Sequence, residues 1–432
     1  MTDPRYLAVK LLNKTFSSGS YSNIQLSAGL DSSDLDDRGK KLCSALYYGV
    51  IERKITLDYI ISGLSSRPIS KLDDIIINIL RCGIYQIMFM DSIPDNAAVN
   101  ESVALAKKFR KTSAAGMVNA VLRNFIRGGK TYKQPKNDIQ KLSVELSAPE
   151  DMIKEYQSNG ALDVLSKAYD KKSTCLRVNP LKCTFTGLCD ALDGDVSAVE
   201  PELFNNFCVN VENCDPVRTD AFKKGFFHVQ SAASQYICKA LAPDENDRVL
   251  DLCAAPGGKT FTLAEMMQGR GEVWAFDLHE KRVKLIRDGA ERLGLANIKA
   301  SAGDASKFDE TMPKFTKILC DVPCSGLAVV GSKPEIKYKK VSDFAGLPEI
   351  QYNIAQNALR YLAPGGEMVY STCTLRRKEN DEVVDRLLKA NPDIEELPLP
   401  EPLGSRFGCR ASIFPGDMGS DGFFIAKLRK KN

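Results

Sequence analysis

Two patterns share this chain, and together they predict an α/β protein with an all-helical N-terminal part. Over the first ~130 residues apolar side chains recur close to every 3.6 positions, the period of a helix buried on one face. From about residue 230, short apolar runs bounded by turn residues alternate with helical stretches, the pattern of a mostly parallel sheet covered on both faces. At 432 residues the chain is too long for one ordinary core. Three parts are therefore expected: a helical part over 1–135, a small α/β part over 136–228, and the mostly parallel α/β part over 229–432.

The stretch "RGKKLCSALYYGVIERKITLDYIISGL" places Leu42, Ala45, Leu46, Tyr48, Val50, Ile51, Ile55 and Leu57 near helical spacing. "ISKLDDIIINILRCGIYQIMFM" reads as a largely buried helix, and Pro94 with the Asp-Asn pair after it marks a break. "AAVNESVALAKKFRK" and "AAGMVNAVLRNFIRGG" follow as amphipathic helices, the second stopped by Gly128-Gly129. Lys107 to Lys136 holds nine Lys/Arg and no Asp or Glu. A solvated helix face and a phosphate-facing surface both fit such a run.

The middle part mixes one helical stretch, "PEDMIKEYQSNGALDVLSKAYD", with strand-like pieces "CLRVNP", "NFCVNV" and "GFFHVQ". Beyond it, "DRVLDLC", "GEVWAFD", "FTKILCD" and "GGEMVYST" read as buried parallel strands. They alternate with helices in "KTFTLAEMMQ", "HEKRVKLIRDGAERLG", "LPEIQYNIAQNALRYL" and "KENDEVVDRLLKAN". "GFFIAKLRK" adds a last strand, expected to be antiparallel.

Composition narrows the function classes. The net charge of +4 permits a nucleic-acid partner if the charge is clustered, without requiring one. The first residues carry Asp3, Arg5, Lys10 and Lys14 and no apolar core, unlike a signal peptide, and no window has the ~18 consecutive apolar residues of a membrane span. Thirteen cysteines without a secretory signal read as reduced thiols of a cytoplasmic protein. With no C-x-x-C and two histidines, His228 and His279, a structural metal site is not expected.

"VLDLCAAPGGKT", Val249 to Thr260, is a strand, a turn of small residues and a helix start. Ligands of such sheets bind at the carboxyl ends of strands, beside a helix N-terminus. A phosphate-cradling loop would need glycine where Cys253 stands, and a G-x-G-x-x-G fingerprint is missing. What remains is a turn of Ala254, Ala255, Pro256, Gly257 and Gly258 that admits a ligand close to the main chain. Acids then close the following strands. Asp277 lies twenty residues after Gly257, where an acid holds ribose hydroxyls; Asp304 stands where it meets an adenine edge; Asp321 ends the fourth strand. A nucleoside without a pyrophosphate fits this set, and S-adenosyl-L-methionine is the expected cofactor.

Two further cysteines follow strand ends in small polar loops: Cys324 in "CDVPCSG" and Cys373 in "YSTCT". Buried cysteines are commonly core fillers, and Cys43, Cys82 and Cys175 read that way, with Cys253 and Cys320 acting through backbone or packing. Loops at strand ends are where functional groups collect. By local context alone the Pro-Cys thiol, Cys324, reads as the nucleophile.

Taken together, "DLCAAPGGKT", "CDVPCSG" and "YSTCT" resemble the RNA cytosine-C5 methyltransferases of the Sun (Fmu) family. Upstream, "YYGVIERKITLD", "ILRCGIYQIMF", "IPDNAAVNESVALAKK" and "VNAVLRNFIR" are similar to the helical domain of the antitermination factor NusB, and "LRVNPLK" and "DGFFIAKLRK" match as well. The resemblance implies a class I methyltransferase fold with a Rossmann-like, mostly parallel seven-stranded sheet. It also implies a NusB-like RNA-binding domain and a substrate in small-subunit ribosomal RNA. Residue by residue, it places cofactor contacts on Cys253, Ala254, Ala255, Pro256, Gly257, Gly258, Lys259, Asp277, Asp304 and Asp321. It makes Cys373 the nucleophile and Cys324 the second family cysteine. Gly331 and Ser332 stand where relatives commonly carry two arginines, and Ser231 where they carry an acid.

The chemistry explains the residue types. Carbon 5 of cytosine is too weak a nucleophile to take a methyl group unaided; a thiolate adding to carbon 6 makes it enamine-like. Asp321 is placed to support N3 of the ring, and Lys259 to orient the base or lower a thiol pKa. A second thiol, Cys324, suits removal of the carbon 5 proton. The attacked base must be unstacked, as in a single-stranded loop or a flipped nucleotide. Lys107–Lys136 and the terminal "KLRKKN" would supply phosphate contacts. Two other readings are a non-catalytic RNA-binding or antitermination-type assembly protein and a DNA cytosine methylase using the Pro-Cys thiol. A monomer with no membrane attachment and no obligate protein partner is expected.

Overall fold

The computed structural model describes residues 3–18, 22–170, 173–417 and 420–432. The chain packs as two compact units. Unit 1 is Met1–Tyr169 with Val330–Val341; unit 2 is Asp170–Val329 with Ser342–Asn432.

Unit 1 is helical. The helix Asp74–Phe89 is its axis, burying Ile76, Ile79, Leu80, Cys82, Ile84 and Ile87 among the surrounding helices. Each such side chain contributes roughly 1.5–3 kcal/mol on leaving water. Asp73 starts this helix by accepting from the Ile75 N–H, and Asp36 caps Asp37–Glu52 by accepting from the Gly39 N–H. The long periodic stretch around residue 50 is two helices, Asp37–Glu52 and Lys54–Leu64, broken at Arg53 where φ is −109° and ψ 15°. Close approach requires Gly49, since a Cβ there would lie 2.0 Å from the Tyr85 ring. Cys43 and Cys82 are fully buried core fillers, as expected.

The basic run is less bare than its sequence suggests. Lys108 pairs with Asp3 at 3.6 Å, Lys111 with Asp73 at 2.5 Å and Lys130 with Asp95 at 3.0 Å. Acids distant in sequence neutralise part of it.

Residues 330–341 join unit 1 from far along the chain. Glu335 accepts from the Ser22 hydroxyl at 2.8 Å, the Tyr338 hydroxyl donates to the Ile51 carbonyl, and the Lys337 ammonium donates to the Glu52 carbonyl at 2.8 Å. Lys337 is fully buried, with the Tyr169 hydroxyl 3.3 Å away. Gly331 and Ser332 belong to this same segment.

Unit 2 holds two sheets. The smaller is antiparallel, from β1 (Thr174–Val178), β2 (Asp195–Ala198), β3 (Cys208–Glu212) and β4 (Phe227–Val229), in the order β2-β3-β1-β4. The larger contains β5 (Arg248–Asp251), β6 (Glu272–Asp277), β7 (Ile298–Ala302), β8 (Phe315–Asp321), β9 (Leu362–Thr372), β10 (Ile394–Glu396), β11 (Arg410–Ile413) and β12 (Phe423–Lys430). Its path runs β10-β12-β9-β8-β5-β6-β7, seven strands, with β11 added beside β12. Strands β5 to β9 pair in parallel, and β10, β11 and β12 are antiparallel additions. The order reverses between β5 and β8, which opens a crevice beyond their carboxyl ends.

Candidate active site

The loop after β5 lies at that crevice. Gly257 has φ of +114°, and a Cβ on it would sit 2.3 Å from the Phe261 ring, so the turn demands glycine twice over. Gly258 then opens the helix Gly258–Met266. The Ala254 N–H donates to the Phe276 carbonyl at 2.8 Å, fastening the loop to β6. Asp251, just before the loop, accepts from the Thr260 hydroxyl at 2.7 Å. Burial pushes its carboxyl up to about 7. Nothing in its sequence position distinguishes this acid, which joins the strand end to the helix.

Asp277 ends β6, almost wholly buried. It meets the Arg282 guanidinium at 3.0 Å and accepts from the His279 N–H at 3.2 Å. Arg282 also donates to the Ala255 carbonyl at 2.7 Å, so one arginine links acid and loop. Nothing in its sequence position singled Arg282 out. Asp304 accepts from the Ser306 hydroxyl and N–H at 2.6 and 3.0 Å, and Ser306 holds its carboxyl below the usual range. The Gly303 N–H donates to the Asp277 carbonyl at 3.0 Å, bringing these strand ends together. The glycine turn and this acid row suit a nucleoside-bearing ligand held against main chain.

Asp321 ends β8 and bridges two elements. Its Oδ2 pairs with Lys259 Nζ at 2.8 Å, and its Oδ1 accepts from the Ser371 hydroxyl of β9 at 2.7 Å. Burial would pull Lys259 down, but the Asp321 charge and hydrogen bond outweigh it and hold the ammonium above its ordinary value.

Three residues past Asp321, Cys324 meets Cys373. Their sulfurs lie 2.9 Å apart without a disulfide, and the Cys373 N–H donates to Cys324 Sγ at 3.2 Å. The hydrogen bond between the two sulfurs, then burial, push the Cys324 thiol well up, against the lowering effect of the Cys373 N–H. Cys253 stays on the loop side, raised by burial, and Cys320 is wholly buried in the core. Ser231 caps the helix Ala232–Leu241 by accepting from the Ser234 N–H.

A parallel sheet with antiparallel additions at one edge and a glycine-turn crevice at its order reversal defines the larger sheet as a class I methyltransferase fold. Residues 238–429 match the family described as 16S rRNA methyltransferase RsmB/F, and residues 2–127 match the NusB family. The probable ribosomal RNA small subunit methyltransferase B of Bacillus subtilis (strain 168) is 37% identical over 446 residues, covering 100% of this chain and 99% of that protein. The ribosomal RNA small subunit methyltransferase B of Salmonella arizonae is 31% identical, with 91% of each chain covered. Among solved structures, a crystal structure of PH0851 has a similar fold, with a TM-score of 0.84 at 22% identity over 100% of this chain and 99% of that one. This chain belongs to the RsmB/F family of ribosomal RNA small subunit methyltransferases.

Proposed function

We propose that this protein methylates carbon 5 of a cytosine in small-subunit ribosomal RNA, through a covalent bond from Cys373 to carbon 6. The observation that carries the reading is the 2.9 Å approach of the Cys324 and Cys373 sulfurs beside the Asp321–Lys259 pair. Family membership supports a ribosomal RNA substrate, and the NusB-like helices with their basic run support RNA contact through unit 1. The functional division into 1–135, 136–228 and 229–432 belongs to the same proposal.

Bound S-adenosyl-L-methionine supplies an electrophilic methyl group on a sulfonium centre. Cys253 through Lys259, Asp277, Asp304 and Asp321 are the residues that would hold it. Cys373, as thiolate, adds to carbon 6 of the unstacked base. The electrons arriving on the ring call for a proton at N3. Since Asp321 is ion-paired, that proton comes from the Lys259–Asp321 unit rather than from a carboxyl standing protonated by itself. Carbon 5 would then be nucleophilic toward the methyl group that the bound cofactor would supply, the cofactor leaving as its thioether. With Cys373 bound to carbon 6, the sulfur hydrogen bond that raised Cys324 is lost and its proton can pass to solvent. Cys324 then accepts the proton that carbon 5 must lose, the Cys373–carbon 6 bond breaks, and N3 returns its proton to the Lys259–Asp321 pair as product leaves.

The test uses radiolabelled S-adenosylmethionine and ribosomal RNA. Cys373→Ala should transfer no label and form no adduct. Cys324→Ala should accumulate a protein–RNA adduct that survives a denaturing gel. Methylation by Cys373→Ala alongside an inert, adduct-free Cys324→Ala would reverse the two roles. A wild-type protein that labels no RNA would instead favour an RNA-binding assembly role.

A further inference from the structure

Glu379 has no exposed surface and lies between the two cysteine loops. Its Oε2 accepts from the Ser325 N–H at 2.9 Å and from the Gln351 amide at 2.8 Å; its Oε1 accepts from Arg376 at 2.9 Å. Ser325 directly follows Cys324, and Arg376 lies three residues past Cys373. Gln351, on the helix Leu347–Tyr361, also donates to the carbonyl of Pro323, the residue before Cys324, at 2.9 Å. The Tyr370 hydroxyl, on the strand that delivers Cys373, donates to the Glu379 carbonyl at 2.6 Å. Asn380 completes the bracket: it donates to the Thr374 carbonyl at 3.0 Å and accepts from the Thr372 hydroxyl at 2.7 Å, on either side of Cys373. The Ser325 hydroxyl reaches the Thr374 hydroxyl at 2.9 Å.

A buried carboxylate is costly unless paired and fully hydrogen-bonded, and apolar side chains of similar volume are often as stabilising. Here three donors from three chain segments converge on one carboxylate, and two of those segments carry the thiols. We propose that Glu379 is a positioning residue that sets the separation of the Cys324 and Cys373 sulfurs. The role rests on the reading that the two thiols divide the methyl-transfer chemistry between them. Asparagine or glutamine at 379 could not replace it, because both Ser325 and Gln351 donate to the same oxygen while Arg376 donates to the other.

The experiment measures sulfur spacing without RNA. Diamide oxidises two thiols to a disulfide and becomes the hydrazine, taking up both protons and both electrons. Peptide mass mapping follows the Cys324–Cys373 disulfide, with Cys175–Cys208, 3.6 Å apart, as internal reference. In folded Glu379→Gln the first cross-link should form about tenfold more slowly and the reference should not change, since disulfide closure has narrow geometric limits. With ribosomal RNA and S-adenosylmethionine, kcat should fall about 100-fold, as misplacement near 1 Å does, with both KM values within about twofold. A cross-link rate within about twofold of wild type overturns the proposal, as does a rise in KM at unchanged kcat. Slowed cross-linking in a chain whose wild type methylates nothing upholds the positioning role and sinks the function it serves. If Glu379→Gln does not fold, Gln351→Met loosens the same carboxylate; about threefold slower cross-linking is expected by the same geometric argument. An unchanged rate there would leave Glu379 a stability residue only.

Discussion

Among the described residues of unit 2, two cysteine pairs have their sulfurs in close approach, and they differ in their setting. Cys175 and Cys208 approach to 3.6 Å, Cys324 and Cys373 to 2.9 Å. In each pair the hydrogen bond between the two sulfurs is the largest influence raising one thiol. Yet Cys175 and Cys208 sit inside the regular ladder of β1 and β3, where Cys175 faces Asn210 and Arg177 faces Cys208. The nearby cation, Arg177, is committed to Glu265 at 3.1 Å in a buried ion pair. Cys324 and Cys373 stand instead in loops past β8 and β9, with Lys259 and Asp321 alongside. A raised thiol and a close partner therefore do not tell the two pairs apart. Both cations are ion-paired, and the difference lies in the setting, a regular ladder for one pair and strand-end loops for the other.

The sharpest way to break this contrast is to remove the cation. Lys259→Met should lower kcat about 100-fold or more, the scale of a lost charged group at a reacting centre. Its acid limb in a pH–rate profile should move to higher pH, because a thiolate that loses a neighbouring cation has a higher pKa. An unmoved limb would mean that the loops alone set the reactivity of Cys373.

Lysines show the same division. Lys259 is buried against a carboxylate and held up; Lys337 is buried against neutral acceptors and pulled down to about 7, burial being the main cause. Its folded pKa lies below its ordinary 10.5, so the unfolded chain binds the extra proton between about pH 7 and pH 10.5. Wild-type stability should rise with pH across that window relative to Lys337→Met. In urea titrations the advantage of the variant should shrink by about 3 kcal/mol between pH 7 and pH 10. A pH-independent difference would show that Lys337 stays charged in the fold.

The smallest effect belongs to the ladder pair. Cys208→Ala should cost about 1–2 kcal/mol in urea unfolding, as a small core deletion does, and leave kcat within about twofold. A tenfold loss of kcat would erase the distinction between the pairs.

Much of this was legible in sequence for physical reasons. Parallel strands are buried on both faces, so β5, β6, β8 and β9 announce themselves as apolar runs. The glycine turn follows from chemistry that admits no other residue at Gly257. The short, polar β2 carried no such signal. Glu379 was illegible because its partners lie up to 54 residues away and a loop glutamate reads as a solvated charge. The pairing of Lys108, Lys111 and Lys130 with Asp3, Asp73 and Asp95 is likewise a property of the packed helices and not of the basic run itself.

Residues 330–341 have a consequence for how the chain can be taken apart. They belong to unit 1 but are flanked on both sides by unit 2, so the backbone passes between units three times, at 169–170, 329–330 and 341–342. A protease that cuts one crossing leaves two intact, and nicked protein should still migrate as a single particle under native conditions. A gene fragment ending at Tyr169 would also deprive Ser22, Ile51 and Glu52 of Glu335, Tyr338 and Lys337. The helical unit is thus complete only when translation has run well into the methyltransferase half.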